Sequence, residues 1–228
     1  MQPGGVGYID EMPDSHEDRG AAPDRQRSSL RAEHVAQTRA ALVEAGRRLF
    51  GERGFAGASV EDLAREARVT TGALYHHFGA KRLLFEAVFQ QAHAEMLETA
   101  AQYASDASDE IEFLARGFAA SLDVAGRPDM QRILIVDGPA VLGLPRFTEL
   151  DERGAFDVVA GVLRGAVAGG RLEIDDLETV TRLLLGALTR GTMLVASAPN
   201  PAVTRQAVAG AMRALIAGFV RYRRAPEE

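Results

Sequence analysis

Between Ser59 and Lys81 the chain reads SVEDLAREARVTTGALYHHFGAK, and the residues able to make polar contacts are closely spaced. Thr71 and Tyr75 carry hydroxyls, and His76 and His77 carry imidazoles, that can bond phosphate oxygens or base edges; Gly72 admits a close backbone approach, and Lys81 supplies a cation. These side chains need a rigid element to present them. Ser59 is a good helix N-cap, and Asp62 three residues later is a capping-box variant with Asp in place of Glu or Gln. Leu63, Ala64 and Ala67 form the apolar side of that first short helix. Thr70 can cap a second helix whose inner face is Leu74 and Phe78, which leaves Thr71, Gly72, Tyr75 and His76 turned outward. Gly79 ends it. The pattern predicts a helix-turn-helix, whose second helix enters a major groove because the first one backs it. Lys81, the single lysine of the chain, falls in the first turn of the next helix. A cation there opposes the helix dipole, whereas a nearby phosphate would favour it.

The stretch from about residue 38 to 89 resembles the TetR family of bacterial transcriptional regulators. The resemblance is carried by Leu49-Phe50, the Arg53-Gly54-Phe55 corner with Gly57, Ser59-Val60, Leu63-Ala64, Val69, and Gly72-Ala73-Leu74-Tyr75-His76-His77-Phe78 followed by Lys81. It implies DNA contacts at Ser59, Thr71, Gly72, Tyr75, His76 and Lys81, with His77 beside them and with Ser59 and Lys81 mainly at phosphates. It also implies a repressor that binds a palindromic operator as a homodimer and is released by a small-molecule effector. Two positions depart from the family's pattern. The turn Ala67-Arg68-Val69 has arginine where glycine is common and the backbone tends toward positive φ, at an expected cost of about 1 kcal/mol; a phosphate contact from Arg68 would offset it. Thr71 stands where many relatives carry a basic residue, which lowers nonspecific affinity.

A chain of 228 residues with 46% hydrophobic content can bury a sizeable core. The absence of cysteine excludes disulfides, thiolate nucleophiles and Cys-ligated metal. No run approaches a membrane span, and the first residues, with Asp10 and Glu11 and no apolar core, do not read as a signal peptide; a cytoplasmic protein is expected. The net charge of −6 is unevenly placed. Residues 1–33 hold four basic and seven acidic side chains, residues 34–90 hold eight and six, and the remainder holds 14 and 19. Only the middle segment is positive. Phosphate neutralisation supplies most sequence-independent affinity, so so small a surplus predicts modest nonspecific binding and reliance on specific contacts and a second protomer.

The expected architecture is all-α: an arm over 1–32, a three-helix DNA-binding domain over 33–80, and a helical effector-binding and dimerisation domain over 81–228. The arm is rich in Gly, Pro and charge and is expected to be disordered, with Arg25, Arg27 and Arg31 able to follow DNA into a minor groove. Helix one is predicted over about 36–52, with Ala41, Leu42, Ala45, Leu49 and Phe50 inward. Helix four is predicted from about 80 to 103, carrying Leu83, Leu84, Ala87, Val88, Ala92 and Met96. Further helices are expected at 108–125, 128–137, 145–169, 175–197 and 200–223, separated by Gly- and Pro-containing breaks that include Gly138-Pro139. Gly161, Gly165 and Gly169 suggest a smooth helix-packing face. The last two helices are more apolar than one buried face requires. Leu183, Leu184, Leu185, Ala187, Leu188, Met193, Leu194 and Val195 on one, with Val203, Ala207, Val208, Ala211, Met212, Leu215, Ile216, Phe219 and Val220 on the other, predict pairing with a second copy.

An effector site is expected inside the body, with Phe113, Phe118, Phe147, Phe156 and Met193 as bulky candidates and Asp137, after the run Ile133-Leu134-Ile135-Val136, as a polar one; the alternatives are that the bulky residues are plain core, the commoner role at helical spacing, and that Asp137 caps a helix or turn. No cofactor is implied. Nor is catalysis: the chain lacks a phosphate loop, a dinucleotide glycine pattern and a nucleophile elbow. A metal site at His76 and His77 is disfavoured, because adjacent helical residues diverge by about 100° and lack the i, i+4 spacing of helical zinc ligands. A helical ligand carrier or protein-interaction module is the remaining alternative.

Overall fold

The computed structural model describes residues 22–218, with side chains described from 32 onward. Of the described residues, 38–218 belong to one compact unit and 22–37 to a separate one. Among the described residues every regular element is helical: α1 (Ala22–Gly57), α2 (Val60–Glu66), α3 (Thr71–Phe78), α4 (Lys81–Ala104), α5 (Glu110–Ala125), α6 (Pro128–Met130), a π-helical segment Gln131–Asp137, α7 (Gly138–Leu142), α8 (Leu144–Glu152), α9 (Ala155–Ala168), α10 (Leu177–Ala196) and α11 (Pro201–Ala217).

Several boundaries differ from expectation for identifiable reasons. α1 starts at Ala22, well before the predicted 36. Its early residues include good helix formers without apolar periodicity, so a hydrophobic-pattern reading misses them. Residues 1–21 of the expected disordered arm lie outside the described residues, as do the side chains of Arg25, Arg27 and Arg31. The helix predicted over 145–169 is divided between Glu152 and Ala155 by Gly154, whose φ of 81° interrupts regular winding. At Gly138-Pro139 the chain does not leave the helix: the winding loosens to π over Gln131–Asp137 and then continues into α7. The wider winding accommodates a proline that has no N–H to donate. Gly138 is required here, since a Cβ would stand 2.9 Å from Phe89 Cε2 and 3.1 Å from the Ile133 carbonyl. Phe219, Val220 and the predicted end of the last helix at 223 lie outside the described residues.

Two hydrophobic clusters hold the protein together. The first joins Leu42, Leu49 and Phe50 of α1 to Leu63, Leu74 and Phe78 of the helix-turn-helix, to Leu84, Phe85, Val88 and Phe89 of α4, and to Ile133, Leu134, Leu142, Phe147 and Leu150. It therefore runs through the expected boundary at 80. The predicted inward set on α4 needs one revision: Leu83 is exposed, and Phe85 and Phe89 take inward positions. The second cluster packs α5 (Leu114, Phe118) against α9, α10 and α11. α10 and α11 cross tightly at Gly191, where a Cβ would lie 2.6 Å from Val208 Cγ1. Gly161, Gly165 and Gly169, by contrast, are exposed, so their face is not a helix crossing among the described residues.

Candidate DNA interface and ligand cavity

The helix-turn-helix is built by local capping. Asp62 N–H donates to Ser59 Oγ at 3.0 Å and Ala73 N–H to Thr70 Oγ1 at 3.1 Å, so both short helices start at capped residues. The Ser59 hydroxyl, with Arg65 adding its charge, holds the Asp62 carboxyl below the usual carboxylate range. Leu63 and Leu74 are wholly buried between the helices. Thr71, Gly72, Tyr75 and His76 are exposed, Tyr75 to 52%, while His77 is half-buried. The two imidazoles stand edge to face at 5.4 Å between centroids, and no group of three metal-ligand residues occurs among the described residues.

The turn holds Arg68 at φ 57°, the one non-glycine residue with positive φ among those described. Its side chain is exposed and bears none of the cost of that conformation. Replacing it by glycine is expected to raise the unfolding free energy by up to about 1 kcal/mol, the left-handed penalty less the chain entropy that glycine adds. Denaturant titration of Arg68→Gly reads this directly. An equal or lower midpoint would show that the arginine is held by contacts that offset its backbone.

Lys81 and Asp137 meet partners that no local pattern announces. Lys81 Nζ lies 4.3 Å over the Phe55 ring, and burial lowers its pKa while the nearby Asp137 carboxylate acts the other way. Burial outweighs the carboxylate, so these contacts do not offset the unfavourable placement of a cation at the start of α4. Asp137 Oδ2 accepts from Phe55 N–H at 2.7 Å, the amide left over where Gly54 (φ 75°, ψ 170°) breaks α1. That φ/ψ region is essentially restricted to glycine. Arg82 donates to the Val141 and Leu142 carbonyls at 3.1 Å each, and Arg146 pairs with Glu86. Through these contacts the π-helical segment, α7 and α8 clasp the base of the DNA-binding head. Asp137 is accordingly part of this clasp and does not line the cavities described next.

Two adjoining cavities lie between α4, α5, α9 and α10. The larger, about 80 Å³, is lined almost wholly by apolar groups, among them Phe113, Leu114, Phe118, Val159 and Leu185. The smaller, about 40 Å³, shares Leu97, Ser121, Ala155, Leu185 and Leu188 with it and adds His93, Leu134, Ile135, Asp151, Thr189 and Thr192. Of the expected effector residues, Phe113 and Phe118 line this space. Phe147 instead packs edge to face on Phe89, Phe156 lies under the Arg182 guanidinium, and Met193 packs against the first core. The polar end was not anticipated. His93 is 5% exposed and stacks on Phe89; its Nε2 is 3.6 Å from Asp151 Oδ1, while Thr189 Oγ1 lies 2.5 Å from Asp151 Oδ2. Burial pushes the His93 imidazole down and the Asp151 carboxyl up, each opposed by the charge of the other and, for Asp151, by the Thr189 hydrogen bond. The sequence signal was weak: a histidine facing inward on the α4 stripe, with its partners 58 and 96 positions later in other helices.

Residues 42–88 match the family model described as bacterial regulatory proteins, tetR family, and residues 111–219 match a tetracyclin repressor-like C-terminal domain. A TetR-family transcriptional regulator from Pectobacterium atrosepticum, known from a crystal structure, superimposes with a TM-score of 0.73 at 30% identity over 84% of this chain and 98% of that one. The HTH-type transcriptional regulator UidR of Escherichia coli is 26% identical over 191 residues, which are 80% of this chain and 93% of that protein. The HTH-type transcriptional repressor AcnR of Corynebacterium efficiens is 38% identical over 65 residues. That stretch is 28% of this chain and only 35% of AcnR, so the chain matches about a third of that relative's length.

Proposed function

Because this chain belongs to the TetR family of transcriptional regulators, DNA-binding proteins and not enzymes, we propose that it represses transcription as a homodimer on a palindromic operator and is released by a small molecule. In this reading Thr71, Gly72, Tyr75, His76 and His77 meet the DNA from α3, and Ser59 and Lys81 meet phosphates at its flanks. The observation that carries the reading is the path of α4. It begins three residues after the recognition helix and continues, as one helix, to His93, Met96, Leu97 and Ala100 on the cavity wall. A ligand that displaces this wall turns the head, provided it prefers the DNA-incompetent arrangement; equal affinity for both arrangements would shift nothing.

Support for the dimer comes from exposed apolar surface on the last two helices. Leu183, Gly186 and Leu194 share one exposed face of α10, and Val203, Ala207, Ala211 and Leu215 one of α11, with Leu183 67% and Val203 60% exposed. Large solvent-facing residues at helical spacing mark an interface more readily than a solvated surface. Selection of bound DNA from a random pool, with sedimentation of the free protein, tests the proposal. An inverted repeat and a dimer are expected. A selected site without two-fold symmetry, or a monomer at micromolar concentration, would overturn it.

A further inference from the structure

We infer that the paired cavities take a ring-sized, neutral, mostly apolar molecule carrying a hydroxyl, seated with that hydroxyl between His93 and Asp151. The inference rests on the proposed effector role of this space and specifies its ligand class.

Size comes first. The two chambers, about 80 and about 40 Å³, adjoin through shared walls. An apolar cavity of about 150 Å³ in another protein accommodates benzene. One ring therefore approaches the capacity here, with modest side-chain adjustment, and a multi-ring ligand exceeds it. The larger chamber offers a ring the faces and edges of Phe113 and Phe118 and the branched side chains around them.

Hydrogen-bond bookkeeping at the smaller chamber selects the polar group. Ser121 Oγ donates to the Gly117 carbonyl at 2.9 Å, and Thr192 Oγ1 donates to the Thr189 carbonyl at 2.7 Å. Thr189 has its single proton engaged by Asp151 Oδ2 or the Leu185 carbonyl. These hydroxyls consequently turn acceptor lone pairs toward the space. Asp151 Oδ1 is a further acceptor, and His93 is the side chain there able to donate. The 3.6 Å between His93 Nε2 and Asp151 Oδ1 is too long for a direct hydrogen bond. A hydroxyl fits beside both because it donates to the carboxylate and accepts from the imidazole N–H. A carboxylate ligand would face Asp151 with like charge and bring no proton to an acceptor-rich surface. An ammonium has no lone pair for His93 and carries a full charge into an aliphatic chamber, a transfer that one half-buried carboxylate compensates poorly.

Calorimetry of the full-length protein with phenol, benzene, benzoate and benzylamine tests the class. Phenol is expected to bind about tenfold tighter than benzene, the factor that one net hydrogen bond supplies, and tighter than either charged probe. Asp151→Asn places an amide where the acceptor pair stands, and His93→Phe removes the donor while keeping the ring on Phe89. In each the phenol-to-benzene ratio is expected to fall toward one. The inference is overturned if phenol binds no tighter than benzene at millimolar concentration, if benzoate or benzylamine binds tighter, or if both variants keep the ratio. Should a variant fail to fold by circular dichroism, the comparison of the four probes on the wild-type protein still decides. Operator release is measured separately by fluorescence anisotropy. Phenol bound without release refutes the effector role and leaves the ligand class standing; release by benzylamine or benzoate does the reverse.

Discussion

Phe85→Ala is expected to lower the unfolding free energy by about 3–5 kcal/mol and to reduce operator binding in proportion to the fraction of molecules it unfolds. Phe85 is wholly buried, and its ring meets Phe50 at 5.3 Å and Phe55 at 5.4 Å, both edge on. These three rings join α1, the corner at Gly54 and the second turn of α4. Removing the middle one opens a cavity beneath Phe55, which also carries the Lys81 ammonium on its face and donates its amide to Asp137. The loss is a large part of a typical domain stability of about 5–15 kcal/mol. Phe85→Leu keeps much of the apolar volume and forfeits the aromatic edge contacts, at roughly 1 kcal/mol per pair. Denaturant titrations of the two variants separate these contributions. A change below about 1 kcal/mol for the alanine variant would mean that the head does not depend on this cluster.

The double substitution Tyr75→Ala and His76→Ala is expected to weaken specific operator binding about a hundredfold or more, with the melting temperature nearly unchanged. Both side chains are exposed on α3, so their removal leaves no cavity. A well-formed base contact is worth about 1–3 kcal/mol, and two lost contacts compound. Affinity for random-sequence DNA should fall far less, because that term comes from phosphate neutralisation by Arg and Lys. Anisotropy titrations on operator and random duplexes, each at two salt concentrations, distinguish the cases. Equal losses on both duplexes would assign these residues to the DNA backbone and not to base recognition.

The DNA-binding head was legible because its rules are local. Ser59 and Thr70 cap the helices that follow them, Leu63, Leu74 and Phe78 turn inward at helical spacing, and Arg68 takes the positive φ that the turn demands. Each depends on neighbours within about one helical turn. The exposed face of α3 follows from what those inward residues leave outside. The same periodicity identified Leu42, Ala45 and Phe50 as core.

Where periodicity fell short, the cause was a partner distant in the chain. Asp137 reads from its flanks as a turn cap or a ligand contact, yet its oxygen goes to Phe55 N–H, 82 positions earlier. Phe147 and Met193 have the bulk of cavity walls and pack in the first core instead, Phe147 edge to face on Phe89 of α4. Apolar periodicity identifies a buried face without saying whether a neighbour fills the space before it. A cavity is a shortfall in packing among four helices, and it becomes visible once their crossings are known. The polar end follows the same logic. His93, Asp151 and Thr189 are individually unremarkable on α4, α8 and α10, and they acquire a shared chemistry because the fold buries them side by side. Capping, spacing and φ preference are properties of short segments and carry the family and the helix-turn-helix. The polar end of the cavity and the clasp between body and head arise from contacts that exist only after the chain has closed on itself.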